Sequence, residues 1–434
     1  MADLTPLIYD SIASVTQNNR LLQLTTTLGD DLLLPQRVIA HDRLGRSYEY
    51  TVDCLARSDT LELKKRIAQP VTLWVQQADQ TYLPVHGYVY RAQRLGSDGQ
   101  FAHCQLSFAP WLHFLKYRRD VRIWQDKAAD DILTEVFNGH PQAEGHFRFD
   151  VRTPALPRSY CTQYETDWHF VHRLMEEEGW YGYHEQKPDG SGHLLVIADT
   201  ADQLASVPGE RVLFHRAGTE DELHKIVHWG AGRTIAASKF SASTDDYKAP
   251  NVAKATNTLV TATHGDLPAQ LEVNEYTGAY TYATQEQGDR QSPQGRGMGI
   301  EHEALCGGVR LRSLPAGSWF TLEDHPLHDS DSADDRQFMV IAVEWCIENN
   351  LPISNQVKDF PGSLLPQVLA FKAAVRREAS AGQLATDGAN EHTGHCFNRS
   401  SCQFAHACAA AARLSAPDNL IPLVSQRCQP GHDR

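Results

Sequence analysis

Tyr164-Glu165-Thr166-Asp167-Trp168-His169-Phe170-Val171-His172-Arg173-Leu174-Met175-Glu176-Glu177-Glu178-Gly179-Trp180-Tyr181 is the stretch on which the reading of this chain turns. Thr166 is a residue type that caps helix N-termini, and Asp167 puts negative charge in the first turn, where the helix dipole favours it. Gly179 stands where a helix ends in a left-handed residue. The spacing therefore predicts a helix over Asp167–Glu178, with Trp168, Val171, Leu174 and Met175 on its apolar face. Directly after it, Trp180-Tyr181-Gly182-Tyr183-His184 and Leu194-Leu195-Val196-Ile197 flank Pro188-Asp189-Gly190-Ser191-Gly192, which predicts a β-hairpin.

Upstream, Ile132, Leu133, Val136 and Phe137 share one face of a shorter helix over Ala128–Phe137, with Asn138-Gly139 as its stop. Before that, from Leu21 to about Phe108, the period falls to two. Leu22 and Leu24, Val71-Leu73-Val75 and Ala102-Cys104-Leu106-Phe108 alternate with other residues, the mark of half-buried strands. Leu44-Gly45-Arg46 and Ser97-Asp98-Gly99-Gln100 punctuate them as turns, so this part reads as an antiparallel sheet or barrel. Downstream, Leu223 to Ile347 is again strand-like, with Phe320 and Leu322 alternating and Phe338–Ile347 a buried run. Two β-rich units with a small helical part between them follow, and no repeat period suggests a solenoid or propeller.

The chain has 434 residues, 41% hydrophobic and 22% charged, enough for two or three domains at about 150 residues each. Mean hydropathy is −0.44 and no apolar run approaches ~18–20 residues, which argues against a membrane-spanning helix. Forty basic against fifty-four acidic side chains give −14, the wrong sign for a nucleic-acid partner. No Lys or Arg precedes Arg20, so the start lacks the basic region of a secretory signal, and synthesis in the cytoplasm is expected.

Cysteine is spread unevenly. Cys54, Cys104, Cys161, Cys306 and Cys346 stand singly, as buried reduced thiols do, whereas Cys396, Cys402, Cys408 and Cys428 crowd the last 39 residues. After Phe360 there is no Trp, Tyr or Met, and the charge changes sign to +2, leaving −16 on the first 360 residues. Pro361–Arg376 has the spacing of a helix through Leu364, Leu365, Val368, Leu369 and Phe371, and little periodicity follows Ala381.

No phosphate loop, nucleophile elbow or dinucleotide fingerprint is present. His169, His172 and Glu176 could share a helix face, yet a zinc protease needs His at i and i+4 with Glu beside the first. His302-Glu303-Ala304-Leu305-Cys306 imitates that motif and ends in Cys. His325-Pro326-Leu327-His328-Asp329 reads as a solvated turn, and Glu176-Glu177-Glu178 as a solvated acidic face. In the tail, His395, Cys396, Cys402, His406 and Cys408 lack the paired C-x2–4-C knuckles of structural zinc, so disorder or loose helix is expected there. No catalytic, cofactor-binding or metal residue is assigned.

Several blocks, in order, resemble the N-terminal hub region of the VgrG family, the tip (spike) protein of the bacterial type VI secretion system. The 164–181 stretch is the strongest, preceded by Arg122-Ile123-Trp124-Gln125 and followed by Ile197-Ala198-Asp199. Tyr247-Lys248-Ala249-Pro250, Leu314-Pro315-Ala316-Gly317, Phe320-Thr321-Leu322-Glu323-Asp324-His325-Pro326 and Ile347-Glu348-Asn349-Asn350 continue the likeness over about residues 10–355. The resemblance implies a mainly β fold with small helical insertions: two similar β-barrels, as in phage tail baseplate hubs, assembled as a pseudo-six-fold trimer. It further implies a non-enzymatic symmetry adaptor between a hexameric inner tube and a trimeric tip. Expected partners are two further copies of the chain, the tube protein, baseplate components, and effectors or adaptors. Injection by the type VI apparatus would be its destination.

The family normally continues into an oligonucleotide-binding-type barrel and a triple β-helical needle, and neither follows here, so the chain resembles the hub without the spike. The expected units are 1–110 (first barrel, first part), 111–180 (helical linking segment), 181–355 (second barrel and return strands) and 356–434 (an atypical, poorly ordered tail). The tail composition suits a shifted reading frame or a degenerate remnant, and equally a genuine short variant. A prophage tail baseplate hub is the alternative within the fold, and a metal-dependent hydrolase the rival outside it.

Overall fold

The computed structural model describes residues 16–29, 31–57, 62–77, 79–214, 225–233, 239–245, 253–259, 272–276, 303–309, 314–351, 359–373 and 404–413. The first strands are β1 (Leu22–Thr26), β2 (Leu33–Arg43), β3 (Glu49–Ala56), β4 (Pro70–Gln76), β5 (Tyr82–Ser97) and β6 (Ala102–Ala109). A middle segment holds β7 (Arg122–Trp124), α1 (Ala129–Asn138), β8 (Phe147–Asp150), β9 (Cys161–Gln163), α2 (Asp167–Glu178), β10 (Tyr181–Gln186) and β11 (His193–Ala198). Next come β12 (Ser206–Phe214), β13 (Lys225–Arg233), β14 (Lys239–Asp245), β15 (Ala253–Leu259) and β16 (Glu272–Tyr276). β17 (Glu303–Val309), β18 (Trp319–Glu323), β19 (Gln337–Glu348), a helix α3 over residues 365–373 and β20 (Phe404–Arg413) complete the order.

The protein is mostly β. Twelve strands form one sheet in the order β1-β4-β5-β6-β3-β2-β19-β18-β12-β13-β17-β20, with β19 also paired to β20. The alternating residues point where the period places them: Leu22, Leu24, Val71, Leu73, Cys104, Leu106 and Phe108 enter one core with Val38, Val52, Phe320, Leu322 and Phe338. Burying each such Leu, Val or Phe contributes about 1.5–3 kcal/mol. Tyr50 stacks on Phe108 in this core, their rings 5.3 Å apart.

The expectation of two closed barrels is not met among the described residues. β1 lies back against β2, but no backbone ladder joins them. Instead the first six strands run on through β19 into the later strands, because β19 offers its C-terminal half to β2 and its N-terminal half to β18.

The predicted hairpin is present as β10 and β11, antiparallel from Tyr181↔Ala198 to Gln186↔His193. Its place in the molecule differs from the expected start of a second barrel. β11 pairs in parallel with β8, and Leu195 and Ile197 pack with Trp111, Ile132, Phe137 and Phe170 in the core of the helical segment. The opposite face, through Tyr181, Tyr183 and Val196, meets Leu44, Leu204 and Met339. The hairpin tip docks on β4. Gly190 has φ +69, its carbonyl accepts from Thr72 Oγ1 at 2.8 Å, and a Cβ there would stand 2.6 Å from the Trp74 ring.

α3 is held by Leu364 and Val368 against Cys346 of β19, while Leu369 is exposed. The Leu364 N–H donates to Asp53 Oδ2 at 2.8 Å. Beyond it, where disorder or loose helix is expected, residues 404–413 form β20, antiparallel to both β17 and β19. His406 and Cys408 lie on this strand; His302, His395, Cys396, Cys402, Cys428 and the Tyr247–Pro250 block lie outside the described residues. No helix among the described residues is long and apolar enough to cross a membrane.

Candidate functional site

The segment built around α2 carries most of the residues singled out in the sequence. Thr166 Oγ1 accepts from the His169 N–H at 3.3 Å, and Gly179 takes φ +73 with its N–H turned back to the Glu176 and Met175 carbonyls. Asp167 does more than meet the dipole. It is 2% exposed, with Oδ1 accepting from Gln163 Nε2 at 2.7 Å and Oδ2 2.8 Å from His140 Nε2. The buried face also departs from the expected one. Phe170 and His172 are buried alongside Val171, Leu174 and Met175, and Trp168 is only partly covered, with Lys116 Nζ 4.7 Å from its ring centroid.

Glu176, Glu177 and Glu178 do not form the solvated face expected of them. Glu176 pairs with Arg46 at 2.9 Å, Glu177 with Arg158 and Arg173, and Glu178 with Arg158 at 2.5 Å. Burial by itself would raise the Glu177 carboxyl, but the Arg158 and Arg173 charges outweigh it and hold it below the usual range. Arg158 is 3% exposed, so the helix C-terminus is pinned by a buried cation rather than wetted.

The histidines of this helix part company. His169 faces solvent beside Thr166, whereas burial lowers His172 to about 3. His172 Nδ1 lies 2.8 Å from the Trp168 carbonyl and so carries the proton, leaving Nε2 a buried lone pair without a hydrogen-bond partner. His325 and His328, expected in a solvated turn, are also buried. His328 Nε2 accepts from Trp229 Nε1 at 3.2 Å, and its Nδ1 is 3.0 Å from Asp331 Oδ2; His325 packs 4.5 Å from the Phe214 ring. Among the described residues, no three His, Cys, Asp or Glu side chains are grouped to hold a metal ion.

One histidine pair escapes sequence reasoning altogether. His193 of β11 and His86 of β5 meet Nδ1 to Nδ1 at 2.9 Å, and His193 Nε2 accepts from the Trp111 N–H at 3.1 Å. That acceptance puts the His193 proton on Nδ1, makes His86 Nδ1 the acceptor, and leaves both rings neutral. Burial lowers His86 to about 4 and holds His193 well below the ordinary histidine value. The available signal was modest: His193 opens the apolar run of β11, and inward strand positions that carry a polar ring need a partner across the core.

Part of the outer surface of the segment is apolar. β7 and β9 form a two-stranded ribbon, Ile123 opposite Thr162 and Trp124 opposite Cys161. Its inner face is closed by Trp124, stacked 5.0 Å from Phe170. Its outer face leaves Val121 66%, Ile123 54% and Tyr164 56% exposed, and Tyr117, just before it in the chain, is 69% exposed. Arg119 flanks this strip, its guanidinium donating twice to the Tyr164 carbonyl. A ribbon apolar on both faces leaves one face to be covered by something else.

The last of the quoted blocks closes the first strands. Asn349 Oδ1 accepts from the Leu22 N–H at 3.1 Å, and its Nδ2 donates to the Leu22 carbonyl at 3.0 Å and the Pro35 carbonyl at 2.7 Å. Asn350 Oδ1 accepts from the Leu21 N–H at 3.0 Å. Side chains thus replace the missing β1–β2 ladder.

A mostly β chain with a small helical segment is a fold shared with solved tail proteins. An E. coli component of the type VI secretion system, described as similar to the T4 bacteriophage tail proteins gp27 and gp5, superposes with TM-score 0.55 at 13% identity, covering 78% of this chain and 79% of its own. A tail protein of Neisseria meningitidis MC58 gives TM-score 0.53 at 12% identity over 76% of this chain and 95% of its own. The chain belongs to the phage tail baseplate hub (GPD) family, which matches residues 41–351. This is a family of structural hubs rather than of enzymes. The type VI secretion system spike protein VgrG1b of Pseudomonas aeruginosa is 28% identical over 349 residues, 78% of this chain and 44% of that protein. The chain spans about half the length of the curated relatives it matches.

Proposed function

We propose that the chain is the hub of a type VI secretion spike, joining a six-fold inner tube to a three-fold tip. The observation that carries this reading is the similarity to spike proteins across most of the chain. Three copies, each with two sheet units, would present six similar surfaces to the tube. The Val121–Ile123–Tyr164 strip gives such an assembly an apolar face to bury against a neighbour. Tube protein, baseplate components, and effectors or adaptors are the partners of this reading. The chain would be made in the cytoplasm and leave through the apparatus. Within it, residues 1–110 form the first unit, 111–180 extended by the hairpin the middle one, and the strands up to 355 the second.

Sedimentation of the purified chain, alone and with tube rings, tests the proposal. A trimer, or a chain that trimerises on the rings, is expected; a monomer that never binds them overturns it. Ile123→Asp with Tyr164→Asp should abolish the association while leaving the monomer folded. A prophage tail hub is the second reading, favoured by the 95% coverage of the Neisseria tail protein. Preference for a phage tail tube over a secretion tube would select it.

A further inference from the structure

A cavity of about 510 Å³ opens where the β2–β3 turn, the β10 strand, the Leu314–Ser318 loop and the end of β19 converge. That size is within the ~300–1,000 Å³ of small-molecule sites. Its wall is largely apolar and aromatic, with Tyr50, Tyr183 and Trp345 among the lining side chains and Leu83, 40% exposed, at the rim.

Asp42, Arg43, His184 and Glu185 break this apolar wall. Asp42 Oδ2 accepts from the Ala316 N–H at 3.0 Å, and no ion pair of the described residues includes it. The influence of Arg43 on it runs through the backbone N–H, and Glu185, the other acid of the lining, is already paired with Arg148 at 2.8 Å. His184, also in the wall, is held neutral by burial. We propose that this cavity binds a small organic cation with an apolar body, its ammonium group seated on Asp42 and its hydrocarbon against the aromatic wall. Among the described residues no ion pair includes the Asp42 carboxylate, although Arg43 also lines the cavity, and such a cation supplies a partner while filling the space. Desolvation pushes the half-buried Asp42 carboxyl up to about 6, and at neutral pH it is still ionised.

Calorimetric titration of the full chain near neutral pH with 2-phenylethylamine, 2-phenylethanol and phenylacetate tests this. The amine is expected to saturate one site per chain at least tenfold more tightly than the alcohol, with no binding of the acid. Asp42→Asn should remove the preference for the amine. Leu83→Trp, which crowds the rim without touching the carboxylate, should weaken amine and alcohol together; it decides the matter if Asp42→Asn does not fold. Equal affinity for amine and alcohol, no saturation, or amine binding that survives both substitutions overturns the proposal.

Discussion

Asn349 grips Leu22 by both backbone groups, accepting from its N–H at 3.1 Å and donating to its carbonyl at 3.0 Å. One carboxamide so imitates the neighbouring strand that β1 lacks on this side, and its second proton reaches Pro35 of β2.

Asn349→Ala is expected to destabilise the protein by about 2–4 kcal/mol, since it strands four backbone groups, the Leu22 and Asn350 N–H and the Leu22 and Pro35 carbonyls, at roughly 1 kcal/mol or less apiece. Asn349→Asp keeps the acceptor but turns a carboxylate oxygen on the Leu22 and Pro35 carbonyls, so it should cost at least as much. Urea unfolding checks both; a loss below about 0.5 kcal/mol for the alanine variant would refute the seam role.

Stability should fall as the solution is acidified below about pH 6.5, the value of a histidine in the unfolded chain. His86, His172 and His193 all have folded values below that, so the unfolded state binds more protons and gains on the native state as pH drops. Each contributes about 1.4 kcal/mol per pH unit down to its folded value, near 4 for His86 and near 3 for His172. Asp42 acts in the opposite sense between about 6 and 3.8, because its folded value is raised, and offsets about one histidine. Melting temperature against pH should therefore drop between 6.5 and 4, with a shallower slope in His193→Gln. A flat profile over that range would contradict the neutral pairing of His86 and His193.

Arg158→Met is expected to cost about 2–4 kcal/mol, as it removes the buried cation shared by the half-buried Glu177 and Glu178 and leaves only Arg173 on Glu177. The Glu177 carboxyl should rise in the variant, detectable by carboxyl-resolved NMR titration. If the glutamate does not move, the pairing is not what holds it down.

Two glycine substitutions should differ in size. Gly145→Ala meets only the cost of a left-handed residue, about 1 kcal/mol, because at φ +70 a Cβ there has nothing within 4 Å. Gly190→Ala adds a clash with Trp74 and should cost clearly more, with part of the loss recovered in a Trp74→Val background. Thermal unfolding of the four variants suffices, and equal losses would show that the hairpin tip does not dock on β4.

What could be read ahead of the structure was what neighbours in sequence decide. Thr166, Gly179 and the period of α2 set its ends to the residue, and alternation located β1, β4 and β6. The partners of those elements were not readable, because they come from far along the chain. Arg158 meets Glu177 and Glu178 from outside the helix, His86 and His193 face each other across 107 positions, and His172 is buried by elements a helical wheel does not show. Phe170 was missed for the same reason: a helix packed on more than one side has no single apolar face. The barrels were over-read, since a family block such as Ile347–Asn350 marks where a sheet is joined without saying whether a ladder or an amide joins it.

Because β2 needs β19 beside it and β1 needs Asn349, the first six strands reach their final state only after a segment some 240 residues beyond β6 has been made. At ~5–20 residues per second of synthesis, that is a wait of roughly 10–50 s with an open edge and an unlatched first strand. The growing chain has to survive this interval half-finished on the ribosome. The order of manufacture, as much as the final contacts, therefore sets how much usable protein a cell obtains.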